Sequence, residues 1–449
     1  MSAGVAVVVI AGVAVWLNLP VRLPGAGHSL PVTSGKPVPF DNTGSGAGRI
    51  PPDANPAAFA GQGRLAFISQ GLLYDLDGKT GQLKQLTESG QAASPSWSPD
   101  GQWLAYVRVT DAQSGWGPLW LVRSDGTRAH QVQGLPGPVG EFRWSPTADV
   151  LAVGQQKGIW LVSTRGKPEQ LAVTVNWPGF LWSPDGKFLA CSVTLPWSDP
   201  VQRSDALYTV AADGGRPVQR LTAPRAGIQL AAWWPDGQGL LYWLDPEHSA
   251  SLQADGLGLW SLRLGESTPK FLATGLTHPN WLSFSLRGRL LMVKGGLRIV
   301  WANKQLETID VATGTGEKLP NLTGNVAIDP SFSADGGRIA FVAAKDLGSD
   351  AWGFNSDSQL AAWVATRTLW VENADGSNAH PLVSAGTGVY QPAWSRDGKS
   401  ILYVRDNALW VVSVAGGSPQ RIVGLSAPQY GLMGSYGYVY YGDYAWFEP

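Results

Sequence analysis

Four long segments of the 449-residue chain hold the residues best able to do chemistry. Segment 110–118 carries Asp111 and Trp116, and 194–206 carries Trp197, Asp199, Arg203 and Asp205. Segment 245–258 carries Asp245, Glu247, His248 and Asp255, and 343–368 carries Asp346, Asp350, Trp352, Phe354, Asp357 and Trp363. Carboxylates paired as Asp245 with Glu247, or Asp346 with Asp350, are able to serve as general acid and base. Tryptophan, phenylalanine and arginine in exposed loops instead make good anchors for a partner. Loops that fold over and bury their own tryptophans account for the same residues with no chemistry at all.

Other reactive groups are sparse. His248, His278 and His380 stand singly, without the spacing that places two imidazoles on one metal, and no segment has the ligand order of an EF-hand, so no metal or other cofactor is expected. Cys191, the one cysteine, lies in an apolar run, which rules out an internal disulfide and suits a buried thiol. No Gly-x-Ser-x-Gly nucleophile elbow occurs in the chain. With 33 basic residues against 34 acidic ones, no cationic surface for nucleic acid is implied.

What positions the four segments is a repeat. Trp97-Ser-Pro-Asp-Gly101 returns at Trp182, as Trp233-Trp-Pro-Asp-Gly237 and as Trp394-Ser-Arg-Asp-Gly398, with looser copies beginning at Trp144, Phe284 and Phe332. The spacing, about 40 to 60 residues, belongs to propellers and similar arrays. Ser, Pro, Asp and Gly in that order form a type I turn, whose final glycine takes positive φ and completes a bulged hairpin. Alternating strands follow each turn, as in Trp103-Leu-Ala-Tyr-Val107, then an aromatic third strand such as Leu119-Trp-Leu-Val122 and a short fourth. Four strands per repeat make a propeller blade.

The turn motif, the aromatic third strand and endings such as Leu221-Thr222 resemble the TolB-like, WD40-like (PD40) bacterial β-propeller repeat over residues 61–449. The resemblance implies an all-β propeller and carries little information about activity. TolB's separate α/β domain has no counterpart before the repeats, so the resemblance does not extend to TolB's own partners.

The expected organisation is a hydrophobic signal or membrane-anchor helix in 1–22, a Pro/Gly-rich flexible linker in 23–62 and the propeller in 63–449. The apolar run 3–21 has the length that spans a bilayer, and no clear cleavage site follows it. This places the propeller outside the cytoplasm, periplasmic or at the cell surface, anchored or secreted. Eight blades are expected, with seven as the alternative. The first repeat, Arg64-Leu-Ala-Phe67 onward, lacks its turn motif, and Tyr436-Gly-Tyr-Val-Tyr-Tyr441 in the tail is expected to supply its missing strand. Ala57-Ala-Phe-Ala60 is the competing candidate for that strand.

Loops between second and third strands share one face of such a ring with the loops between blades, and all four long segments are of that kind. The functional expectation is a non-enzymatic module that binds a protein, peptide or glycan on this face through Trp116, Trp197, Asp199, Arg203, Asp245, Glu247, His248, Asp350, Trp352, Phe354 and Trp363. The alternative is a carbohydrate-active hydrolase or lyase using loop carboxylates at the propeller mouth.

Overall fold

The turn motif organises each blade in a computed structural model of the chain. The structure describes residues 52–448 apart from 112–113, 156–157, 172–178, 197–202, 249–255, 286, 297, 321, 349–356, 384–387 and 427–440. Ser98, fully buried, donates its hydroxyl to Asp100 Oδ1 (2.6 Å) and accepts from the Trp103 amide (3.0 Å). Asp100 Oδ1 also accepts from the Gln102 amide at 2.9 Å, and Gly101 takes φ 66°. The same Ser–Asp bond recurs at Ser183–Asp185 (2.7 Å), Ser333–Asp335 (2.6 Å) and Ser395–Asp397 (2.7 Å). Each turn thus satisfies its own buried polar groups, which lets the following strand start inside the core. Replacing Ser98 with Ala leaves the Trp103 amide short of its side-chain acceptor and is expected to cost about 1–3 kcal/mol in urea unfolding. An unchanged midpoint at unchanged slope would contradict this role for the serine.

The described residues form eight antiparallel four-stranded sheets. The innermost strands are Tyr444–Phe447 in blade 1, Ala92–Trp97 in blade 2, Phe142–Trp144 in blade 3 and Gly179–Trp182 in blade 4. Gly227–Trp233, Leu282–Phe284, Asn325–Phe332 and Tyr390–Trp394 hold the same place in blades 5 to 8. The ring is therefore eight-bladed, not seven. Apolar residues of adjoining blades pack face to face, as where Trp281, Leu291 and Val293 of blade 6 meet Val326, Ile328 and Phe341 of blade 7. No helix among the described residues is long and apolar enough to cross a membrane. The expected N-terminal helix and most of the linker lie outside the described residues.

The tail closes the ring, but with a later segment than the one expected. Tyr444–Phe447 pairs antiparallel with Arg64–Ser69 of blade 1, placing Trp446 opposite Leu65. Trp97 stands opposite Leu104 and Trp394 opposite Ile401 in the same way, so Trp446 is the eighth copy of the aromatic that opens the turn motif. Tyr436–Tyr440 lies outside the described residues, and Tyr441 is buried. Ala57–Ala60 forms a turn rather than a strand; Phe59 is buried there against blades 1 and 8, and Ala54 bridges Val423. The Gly101 turn packs on the closing strand, since a Cβ at Gly101 would overlap the Phe447 ring.

Indole donors stitch the blades together. Trp97 Nε1 donates to the Ala445 carbonyl (3.1 Å), Trp144 to Ser96 (3.1 Å) and Trp182 to Arg143 (3.0 Å). Trp233 likewise donates to Leu181 (3.0 Å) and Trp394 to Ser331 (3.0 Å). Each acceptor directly precedes the motif aromatic of the preceding blade. Phe284 and Phe332 have no N–H to give and Trp446 Nε1 donates to the Gln62 carbonyl instead, so this stitching lapses at blades 6, 7 and 1. Between blades 6 and 7 the Phe332 amide donates to Ser283 Oγ at 3.0 Å instead.

Candidate functional site

The four long segments connect second to third strands in blades 2, 4, 5 and 7, and so emerge on one face of the ring. At blade 2, Asp111 bridges Trp116, and the half-buried Trp116 indole lies against Gly140 so closely that a Cβ there would overlap it. In blade 7, Trp363 sits on the helix Asp357–Val364, is 3% exposed and donates Nε1 to the Lys345 carbonyl at 2.8 Å. Trp197, Asp199, Asp350, Trp352 and Phe354 lie outside the described residues.

Blades 4 and 5 bring together five of the residues singled out from sequence. Arg203 Nε donates to His248 Nδ1 (3.1 Å), and His248 Nε2 meets the Arg203 carbonyl (2.9 Å). Asp245 is buried below them and its Oδ1 accepts from the amide of exposed Glu247 at 3.2 Å. Asp205 Oδ2 accepts from the Ile228 amide at 2.8 Å. Asp346 in blade 7 does similar local work, accepting from the Gly348 amide at 2.8 Å. Asp245 and Asp346, each one member of a carboxylate pair considered as acid and base, thus shape backbone turns.

A second, more deeply buried group spans blades 6 to 8, and sequence reasoning missed it. Asp329, on the inner strand of blade 7, accepts from Trp281 Nε1 (2.7 Å) and from the Gln391 amide (3.3 Å). Gln391 Oε1 in turn accepts from the Tyr441 amide (2.6 Å), and the Tyr441 hydroxyl donates to Asn407 Oδ1 (2.8 Å). Arg367, 1% exposed, lies 4.6 Å from the Trp363 ring centroid and 4.4 Å from that of Tyr390. Burial raises the Asp329 carboxyl above its ordinary range, while Arg367 and the hydrogen bonds pull it back. This belt includes blades 6 and 7, whose motif aromatics are phenylalanines.

The backbone explains the placement of Asp329 and Gln391. Both have positive φ (49°), as does Ser94 (52°), and each precedes a proline at a bulge in an innermost strand. Proline donates no ladder bond and is tolerated at the free inner edge, while a non-glycine residue at positive φ needs surrounding bonds to hold it. The repeated order of polar residue, Pro, small residue and aromatic, in Ser94-Pro-Ser-Trp97, Asp329-Pro-Ser-Phe332 and Gln391-Pro-Ala-Trp394, was the available signal.

Nearby basic groups are muted by burial. His278 is pushed down to about 3 by burial and by Lys304, and Lys304 falls to about 8 through its own burial, partly offset by Asp346. Burial lifts the Cys191 thiol to about 12, which removes it as a nucleophile. Among the described residues no three His, Cys, Asp or Glu side chains gather as a metal-binding group.

No family model matches the chain. A curated relative is an uncharacterized peptidase of Bacillus subtilis, 26% identical over 198 residues, covering 42% of this chain and 28% of that protein. Among solved structures, dipeptidyl peptidase 4 of Porphyromonas gingivalis overlays at a TM-score of 0.57 with 12% identity, over 82% of this chain and 58% of that one. A putative TolB from Agrobacterium tumefaciens matches 85% of this chain and 94% of its own length, at 14% identity and a TM-score of 0.33. The chain thus spans under two thirds of either peptidase. The expectation of a non-enzymatic binding module does not stand: the relative found by sequence is named a peptidase, and a peptidase shares the fold.

Proposed function

We propose that this propeller works in peptide hydrolysis, as the part of a peptidase that receives the peptide chain. The observation that carries this reading is the 26% identity over 198 residues to a protein named as a peptidase. The sequence has no Gly-x-Ser-x-Gly elbow and its thiol is inert, so bond breaking falls to a hydrolase domain working with the ring. The peptide is met on the face that bears the four long segments, where aromatic and charged side chains concentrate. Local backbone bonding of Asp245 and Asp346 favours this reading over sugar cleavage.

The turn motif supports grouping the repeats with TolB-type, PD40-like propellers. The apolar run 3–21 supports a protein anchored at the cytoplasmic membrane with its ring outside. The test is saturation binding of a non-cleavable peptide library to the purified chain, alongside turnover of fluorogenic peptides and oligosaccharides. Saturable peptide binding or peptide turnover is expected. Absence of both sinks the peptidase reading, and oligosaccharide turnover without either would put a glycosidase in its place.

A further inference from the structure

The outer edges of the blades are short except on two neighbours. The outermost strands Val218–Ala223 of blade 4 and Lys270–Leu276 of blade 5 run to six and seven residues, against two to five in the other blades. A long open edge is a place where another strand pairs. Among the described residues no strand pairs with the outer edge of Val218–Ala223. The edge of Lys270–Leu276 is partly taken, since the Gly295 amide of blade 6 donates to the Thr274 carbonyl at 3.1 Å.

The large apolar side chains most open to solvent lie here too. Among the described residues these are Phe188 at 41%, Val218 at 47% and Phe271 at 50%, all on blades 4 and 5. Each stands at or next to the start of a second or fourth strand, and so at the turn-motif end of the ring, away from the four long segments. Phe271 lies across from Trp260 and meets its ring edge-on, with centroids 5.5 Å apart. Trp260 packs with Leu221 and Leu264 on the apolar cluster shared by blades 4 and 5, so Phe271, on the same face, looks toward blade 4. Between the two blades lies a cleft of about 210 Å³ whose walls include Gln219, Arg220, Arg263, Leu264 and Glu266. Arg220 is steadied by donation from Nε to Thr209 Oγ1 at 2.8 Å. Two arginines against one glutamate make the cleft basic in a chain whose net charge is -1.

The chain itself fills the equivalent seam between blades 8 and 1. Residues 53–59 run along the outermost strand Gln420–Gly424: Ala54 bridges Val423, the Asn55 amide donates to the Ile422 carbonyl (2.7 Å), and Arg421 donates to the Asp53 carboxylate (3.0 Å). Phe59 then enters the apolar cluster of the two blades and is fully buried. Gln420-Arg421-Ile422 and Gln219-Arg220-Leu221 are alike in sequence, and both strands shift register against the third strand of their blade. We propose that the seam between blades 4 and 5 docks an extended segment of a partner protein, which adds a strand to Val218–Ala223, sets a carboxylate on Arg220 or Arg263 and lays an aromatic side chain beside Val218 and Phe271. A second copy of this chain fits poorly, because a two-fold contact here sets the arginines against themselves. A lipid surface offers no backbone to the strand edge. The dock lies at the far end of the ring from the long segments and does not depend on the peptidase reading.

The probe is a fluorescein-labelled peptide with the sequence of residues 52–60, titrated with the full chain and followed by fluorescence anisotropy. Saturable binding is expected, weakened roughly tenfold by Phe271→Ser or Arg220→Glu in the protein and by loss of the acid or the aromatic from the peptide. Glu266→Arg, at an exposed position, is expected to strengthen binding severalfold, and Arg421→Glu to leave it unchanged. The proposal is overturned by absence of saturable binding, by binding indifferent to the cleft substitutions, or by binding lost in Arg421→Glu, which places the probe at the seam of blades 8 and 1. It is also overturned if the parent ignores the peptide but forms a dimer, or sediments with phosphatidylglycerol vesicles, in a way that Phe271→Ser abolishes.

Discussion

Removing residues 442–449 should open the ring and lower stability by roughly 3–6 kcal/mol, judged from the apolar side chains uncovered. The lost strand carries Ala445, Trp446 and Phe447, which pack against clusters shared by blades 1, 2 and 8. Its departure frees the edge of Arg64–Ser69, takes away the carbonyl that receives Trp97 Nε1, and uncovers Leu65 and Phe67, both fully buried in the closed ring. An unpaired edge beside an apolar blade face also invites association, so the shortened chain should elute as larger species. The check is thermal and urea unfolding with size-exclusion chromatography. Truncation that moves the melting temperature by only a degree or two would show that blade 1 stands without its innermost strand.

The second large effect concerns Glu372. At its place in the third strand the other blades carry Leu76, Val122, Val162, Val210, Leu262, Ile309 and Val412, all buried and apolar. Their cross-strand partners match as well, Val122 with Leu104, Val412 with Ile401 and Glu372 with Ile339. Glu372 is 3% exposed, and burial, reinforced by Asp375, raises its carboxyl from 4.5 to about 7. A carboxyl raised on folding binds its proton more tightly in the native state. Its burden is absent below the ordinary value, grows as pH climbs from 4.5 to 7 and is complete above that. At about 1.36 kcal/mol per pKa unit the burden comes to roughly 3 kcal/mol at pH 8.

Glu372→Val is therefore expected to stabilise the protein by about 2–4 kcal/mol at pH 8 and by about 1 kcal/mol or less at pH 4.5. The quantity to follow is the difference between variant and parent. The parent's own profile also contains His278, whose lowered value withdraws stability as pH falls from 6.5 toward 3. A difference that is flat with pH would show that Glu372 is ionised in both states or neutral in both.

How far these features could be read in advance differs from one to the next. The turn pentapeptide announced its own geometry, because Ser, Pro, Asp and Gly each have a local backbone reason for their place, and the blades followed. The tail was read as the closing element, yet the segment was displaced, since Tyr436–Tyr441 has the stronger β composition. In the closed ring the aromatic across from Leu65 is Trp446, in the place that Trp97 and Trp394 hold in their own blades. The Asp329, Gln391 and Arg367 belt escaped notice because its members are brought together across blades: the residue-before-proline pattern marks Asp329 and Gln391 singly, but nothing in it shows that they meet or that Arg367 joins them. Arg203 and His248 were both named from sequence, but their mutual bond needed two loops separated by 45 residues to be seen side by side.

Closure by the tail also brings the two ends of the ring to one point. A Cβ at Gly63 would overlap the Phe447 carbonyl and touch Glu448, so the entry to the first blade and the exit from the last strand are in van der Waals contact. A short peptide joining them makes the propeller a continuous loop, and the Ser-Pro-Asp-Gly bends then become equivalent places to cut it. Circularly permuted chains beginning at Gln102 or Lys187 keep every blade intact within one unbroken stretch except the one that is cut, and the burden of zipping the ring shut passes from blade 1 to that blade.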